Sequence, residues 1–303
     1  MDPTTYLIND GYCIFLFHGV VETDSDGPRN YTRKHLPSEV FREIIDRLQN
    51  TGTAISMDEI VEAKHCNKPL PPRSFAISFD DGFENNYSIA TPILREFNIP
   101  ATFYVTTGFI HYNWNSWIDR VENCIADREN VILNLPWAKA PVMANSVDEK
   151  IALLDQIRNK VKFDRSLNEI EFADDVEQQM NENVSCKPEV TGPLYQKMAW
   201  SQVAELAADP LFTIGGHSHT HSTLSFLNKS DLDAEIEKSM ELIDKNINLK
   251  CVHYSYPEGH VDSYSDLVIE TLRHHGIKCC PTAIEGVNKA SQDLFELRRI
   301  AVT

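Results

Sequence analysis

Basic side chains are scarce in this 303-residue sequence: 28 lysines and arginines stand against 45 aspartates and glutamates, a net charge of -17. That imbalance excludes a nucleic-acid backbone or an anionic membrane surface as the main partner, because both repel an acidic chain. Long apolar runs are missing too. No stretch approaches the roughly 18 residues of a membrane span, so no transmembrane segment is expected. The N-terminal MDPTTYLINDGYCIFLFHGV lacks the basic start of a secretory signal, and His18 interrupts its apolar stretch from Tyr12 to Val21. The seven cysteines (Cys13, Cys66, Cys124, Cys186, Cys251, Cys279, Cys280) are odd in number and scattered, with no C-x-x-C pair. A disulfide framework and a thiolate zinc site are therefore not suggested, and the expectation is a reduced, cytoplasmic protein. Internal repeats and low-complexity tracts are also absent.

What is present is ordinary globular material, 42% apolar and 24% charged. Strand-like runs alternate with helix-like runs, the pattern of parallel strands joined by crossover helices. YCIFLF (12–17), SFAISF (74–79), ATFYVTT (101–107), LFTIG (211–215) and CVHYSYP (251–257) read as strands, with KCCPTAI and LFELRRIAV closing the set. SFAISF alternates polar and apolar residues, which suggests one buried face. Helices are expected over 37–52, over 56–63 with Ser56 as its cap, over 86–99 with Pro92 delaying the first turn, and over 200–209, 231–246 and 264–276. Residues from about 110 to 197 break the rhythm with mixed charge, helical stretches near 116–127 and 147–162, and an acidic run through EFADDVEQQMNENVS. The expected fold class is α/β: one domain over 1–303, a distorted (β/α) barrel of about seven strands, with a mostly helical insertion at about 110–197.

Two constellations stand at strand ends. ISFDDGFENN sets Asp80 and Asp81 against the end of an apolar run, and adjacent carboxylates there are costly unless a cation or donors compensate them. A bare D-D-G is more often a solvated turn. The second, GGHSHTHSTL, holds three histidines within five residues. One helical turn starting at His217 would put His217 and His221 on one face at metal-ligand spacing, and a carboxylate from the D-D-G turn would complete a three-ligand site.

These segments resemble the polysaccharide deacetylases of carbohydrate esterase family four, over most of the chain outside the insertion. Ser78 to Gly82 match that family's [ST]-F-D-D-G, and His217, Ser218 and His221 match its H-[ST]-x-x-H. The resemblance implies metal ligation by Asp81, His217 and His221, with Asp80 as general base; His219 would support the loop without ligating. A divalent cation is implied, zinc first, with cobalt, nickel or iron as alternatives. The family's R-x-P-[YF] aligns with Ser255 to Glu258, where Ser255 replaces the arginine, and YPEG (256–259) resembles a Y-P-x-G variant. The Glu258 backbone N–H would then join the metal in holding an oxyanion, with Tyr256 lining the substrate site. Arg299 is the substitute for the missing arginine, the alternative being a surface ion pair. The family's Asp-Trp pair has no counterpart, and no histidine follows His275 as general acid. His18 takes that candidacy, against a buried structural histidine.

HYNWNSW (111–117) offers Trp114, Trp117 and Asp119 as a sugar platform and hydrogen-bond partner, the alternative being that they anchor the insertion. The expected activity is removal of an N-acetyl group from an amino sugar in an oligosaccharide or a nucleotide- or lipid-linked precursor, in surface polysaccharide biosynthesis. A deformylase, an O-acetyl esterase and a non-catalytic glycan-binding barrel are the alternatives.

Overall fold

A computed structural model describes residues 2–24, 27–181 and 192–303; Cys186 and the end of the acidic run lie outside them. Five parallel strands, β1 (Tyr12–Phe17), β2 (Ser74–Phe79), β3 (Ala101–Val105), β4 (Phe212–Gly216) and β5 (Ile300–Ala301), lie in the order β5-β1-β2-β3-β4. Every residue of β1, β2 and β3 is buried. The alternation in SFAISF therefore does not mark a solvent face. A parallel strand is covered on both sides, so Ser74 and Ser78 satisfy their hydroxyls internally, on the carbonyls of Pro71 (2.6 Å) and Phe15 (3.1 Å). Phe79 stacks between Phe17 and Phe103, with ring centroids 5.4 and 5.0 Å away. The register pairs Phe17 with Phe79 and Val105 with Gly216, so neighbouring strands end level.

Past β4 the ring is completed by extended segments instead of full ladders. Gly216 bridges to Tyr254, and His253 to Cys279. Thr282 N–H then bonds the Leu297 carbonyl (2.8 Å), Arg299 N–H bonds that of Ile284 (3.1 Å), and β5 returns to β1 at Phe15 and Ile300. The fold is a distorted (β/α) barrel. Strands expected over 251–257 and through KCCPTAI reduce to these bridges, because Pro257 and Pro281 supply no N–H to a ladder. LFELRRIAV likewise forms a two-residue strand.

Expected helices appear at Ser38–Thr51, Met57–Cys66, Trp200–Ala208, Lys229–Ile247 and Asp266–His274. Ser56 and Glu59 form a reciprocal capping box. Over 86–99, a π-turn at Asn86–Ala90 precedes an α-helix at Thr91–Glu96, since Pro92 cannot donate to the preceding turn. Among the described residues no helix is long and apolar enough to cross a membrane, and no disulfide joins the six described cysteines.

The chain divides into two compact units, one of residues 1–23, 34–114 and 196–303, the other of 24–33 and 115–195. The second contains helices Trp117–Ala126, Val147–Phe163 and Glu169–Asn181 and an antiparallel ribbon of Val131–Leu133 with Val142–Ala144. It has its own apolar core around Trp117, Ile125, Leu154, Ile157 and Phe172. Segment 24–33 joins this unit through Arg29, which donates to Asn123 Oδ1 (3.0 Å) and Tyr195 Oη (2.8 Å), and through Asn30 N–H to Glu122 Oε1 (3.2 Å).

Near the strand starts, buried His253 meets Asp58 Oδ1 through Nε2 (2.7 Å) and Cys279 Sγ through Nδ1 (3.0 Å). Burial opposes the imidazolium, but Cys279 and the Asp58 hydrogen bond outweigh it and push His253 up to about 10. The same hydrogen bond, against partial burial, lowers the Asp58 carboxyl. A raised histidine stabilises fully below its unfolded value of about 6.5 and loses that contribution as pH rises through about 10. The lowered Asp58 contributes above its unfolded value of about 3.9 and is lost as pH falls through its folded one. Asp58→Asn should therefore lower the melting temperature clearly at about pH 6 and only slightly above about pH 10. Equal losses in melts at both values would show that the contact is not charge-coupled.

Candidate active site

The level strand ends deliver His18 after β1, Asp80 and Asp81 after β2, and His217 after β4 to one end of the barrel, where such folds carry their chemistry. Pairing continues one residue beyond each strand: Asp80 N–H bonds the Phe17 carbonyl (3.1 Å), His217 N–H that of Val105 (2.9 Å) and Ser255 N–H that of Gly216 (2.9 Å). The backbone then turns sharply. Asp81 (φ +76°), Ser218 (+63°), His221 (+64°) and Glu258 (+61°) all adopt left-handed conformations. In most of the molecule this region is used by asparagines such as Asn67, Asn113 and Asn248 at helix ends, where it is favourable. At the site it costs about 1 kcal/mol or more per residue and is maintained by the surrounding bonds.

Asp81 Oδ1 lies 3.3 Å from His221 Nε2 and 3.7 Å from His217 Nε2. The three ligand atoms fall within 4.8 Å of one another, a grouping that could hold a metal ion. His217 Nδ1 faces the Ser255 carbonyl at 3.0 Å. A carbonyl only accepts, so Nδ1 carries the proton and Nε2 presents a lone pair. Burial pushes His217 down to about 4, so the ring is neutral near pH 7. Asp81 is held well below the usual carboxylate range: burial opposes ionisation, and His221, His18 and His217 outweigh it. A lone pair thus faces a buried carboxylate oxygen, 3.7 Å away, that has no well-aligned hydrogen-bond donor among the described residues. That arrangement is unfavourable until a cation enters, and one carboxylate with two imidazoles is a fitting donor set for a divalent metal.

The helical turn expected at His217 is absent. Residues 217–221 form a loop, because the left-handed Ser218 bends the chain and its Oγ accepts from His221 N–H (2.9 Å). Glu235 fastens this loop by accepting from His219 N–H (2.8 Å), Thr220 N–H (2.6 Å) and Thr220 Oγ1 (2.9 Å). Thr106 Oγ1 donates to the His217 carbonyl (3.0 Å) and Gly108 N–H to that of His219 (2.8 Å). A Cβ at Gly108 would sit 2.4 Å from the same oxygen, so only glycine fits. His219 pairs its Nδ1 with Thr107 Oγ1 (2.9 Å). Nothing in the sequence marked Glu235, which is one acid among many on its helix.

Asp80 is held differently. Arg299 grips it with two parallel bonds of 2.8 Å, Nη1 to Oδ1 and Nη2 to Oδ2, while Arg299 Nε donates to the Thr282 carbonyl (2.6 Å). Arg299 is 0% exposed and Asp80 3%, so this is a buried fork and not a surface ion pair. Burial favours the neutral acid, yet Arg299, with help from His217, keeps the Asp80 carboxyl below its ordinary pKa.

His18 is half-buried, and burial lowers its pKa although Asp81 and Asp80 pull upward. Glu258 is half-buried in the YPEG turn. Tyr256 is not at a surface that substrate can reach: it is fully buried, bonds the Phe295 carbonyl (3.0 Å) and stacks on Tyr264 (4.9 Å). Trp117, 5% exposed, packs in the second unit's core with its ring edge-on to Phe172, so it offers no open face; apolar burial has claimed both rings. Asp119 is also buried there, its N–H bonded to Ser116 Oγ (3.2 Å) at the helix start. Trp114, in the first unit, is 44% exposed and stacks on Tyr112 at 4.7 Å.

Fold and site together define a barrel that presents a buried carboxylate gripped by arginine beside a three-residue group that could hold a metal ion. The chain belongs to the polysaccharide deacetylase family, whose model matches residues 67–131 and 176–280, more than half of its length. The poly-beta-1,6-N-acetyl-D-glucosamine N-deacetylase of Escherichia coli K12 is 29% identical over 112 residues. That match spans 37% of this chain and only 15% of the relative. IcaB from Ammonifex degensii superposes with a TM-score of 0.61 at 17% identity, covering 98% of this chain and 94% of that one. The Streptococcus pyogenes deacetylase PplD, solved with acetate, gives 0.60 at 15% identity, covering 96% and 92%.

Proposed function

We propose that this chain is a metal-dependent carbohydrate N-deacetylase that removes acetyl groups from N-acetylglucosamine units of a polymer or oligomer. The observation that carries this reading is Asp80: a buried carboxylate, kept ionised by Arg299, beside the cradle of Asp81, His217 and His221 but outside it. A barrel that only bound metal or sugar would have no use for it. The family membership and the activity named for the Escherichia coli relative point to the same substrate class. When bound, a divalent cation, zinc in the first instance, polarises the acyl carbonyl and acidifies water. Asp80 accepts the proton of the attacking water, and Arg299 holds its carboxylate in one orientation. The Glu258 N–H donates to the developing oxyanion. His18 returns a proton to the departing amine, and Trp114 with Tyr112 gives a sugar ring an aromatic surface.

The test pairs metal content with acetate release from N-acetylglucosamine oligomers of β-1,6 and β-1,4 linkage. Wild type should hold one metal per chain and release acetate, and His217→Ala should lose the metal and at least about 100-fold in rate. Bound metal without acetate from any oligomer would refute the substrate assignment.

A further inference from the structure

The position at which the family motif carries arginine is occupied here by Ser255, and its hydroxyl is fully buried between two working groups. Ser255 Oγ lies 2.6 Å from His217 Nδ1 and 3.3 Å from Asp80 Oδ1. The direction of both bonds follows from the tautomer that leaves His217 Nε2 free to ligate. His217 Nδ1 carries its proton, because it also faces the Ser255 carbonyl, which cannot donate. Ser255 Oγ therefore accepts from His217 and has one hydrogen left, whose partner is Asp80 Oδ1. The serine is itself fixed by its N–H bond to Gly216, the residue preceding His217.

We infer that Ser255 is a positioning residue that ties the orientation of the ligand His217 to that of the base Asp80, leaving Asp80 Oδ2 as the proton-accepting atom. Among the described residues Oδ1 receives two donors, Ser255 Oγ and Arg299 Nη1, whereas Oδ2 receives Arg299 Nη2 alone and faces His217 Nε2 at 3.8 Å. Oδ2 is thus the oxygen with a lone pair to spare on the cradle side. Because one hydroxyl serves both neighbours, a rotation of the imidazole that moved the metal would strain the base, and the reverse. The guanidinium beside the base comes here from Arg299, just before β5, and a small side chain at 255 fits the space between base and ligand. This inference rests on the deacetylase reading for the role of Asp80, but its metal half does not.

Ser255→Ala removes the bridge, Ser255→Cys fills the place with a somewhat larger and much weaker hydrogen-bonding group, and Ser255→Thr restores a hydroxyl. Zinc affinity of the metal-free protein is read by chelator competition, alongside kcat and KM for acetate release and the melting temperature. Removing an outer partner of a metal-bound histidine typically costs about 10- to 100-fold, so Ala and Cys should each weaken zinc binding about tenfold and lower kcat about tenfold. KM should stay within about twofold, and Thr should recover most of both losses. If Cys behaves as wild type while Ala does not, Ser255 only fills space and the inference fails. It fails too if the melting temperature falls while zinc affinity holds. A wild type that binds zinc but releases no acetate overturns the reaction reading alone, and zinc affinity then decides for Ser255. A wild type that binds no metal overturns both.

Discussion

Arg299→Met should cost about 3–5 kcal/mol of folding stability, the scale seen when one partner of a buried ion pair is removed. The loss comes from what stays behind. Asp80 is 3% exposed, and both of its oxygens rely on the Arg299 fork. Burial is the largest influence on this carboxyl and favours the neutral acid, so without the guanidinium Asp80 loses the main partner that keeps it ionised in its buried place. Arg299→Lys restores charge without the planar pair of donors and should recover about half of the loss. Urea unfolding of the three proteins measures both effects. A Met variant within about 1 kcal/mol of wild type would mean that the fork is incidental.

Asp80→Asn should lower acetate release by about a thousandfold, within the range of removing a general base, while the metal stays bound. Its retention is expected from the geometry, since the group that could hold a metal ion consists of Asp81, His217 and His221, without Asp80. The amide fills the same space, but it cannot take a proton from water and leaves the Arg299 charge without its counter-ion. Asp80→Asn is therefore destabilised as well. The double variant Asp80→Asn/Arg299→Met, which buries no unpaired charge, should regain most of that stability and none of the turnover. Unfolding and initial-rate measurements on the four corners of this cycle separate the two roles. Recovery of activity in the double variant would show that Asp80 is not the base.

The parts of the site legible in the sequence were those whose partners are close along the chain. Asp80 and Asp81 at a strand end, and His217 and His221 four apart after two glycines, could be paired because each motif carries its own turn chemistry. Conformation was harder to read than identity. Local spacing favours a helical turn at 217–221, whereas the tertiary bonds of Glu235 and Thr106 hold a left-handed loop there. Tyr256 and Trp117 show the same limit in reverse, since an amphipathic ring has equal sequence credentials for a pocket and a core, and packing decides. The barrel strands were recognisable from their apolar runs. The segments around 253 and 279 form bridges where their apolar runs suggest strands, because proline removes ladder donors without changing hydrophobicity. That segment 24–33 belongs with 115–195 depends on Arg29 and Asn30, whose partners lie about a hundred residues away.

Arg299 and Asp80 are 219 positions apart, and this separation gives the site a place in time. At a synthesis rate of about 5–20 residues per second, Asp80 leaves the ribosome roughly 10–40 seconds before the residue that neutralises it. During that interval the charge on Asp80 keeps its water, so the nascent sheet cannot dry and close around it. The buried fork should thus form only when β5 joins the sheet, as a late and long-range step of folding.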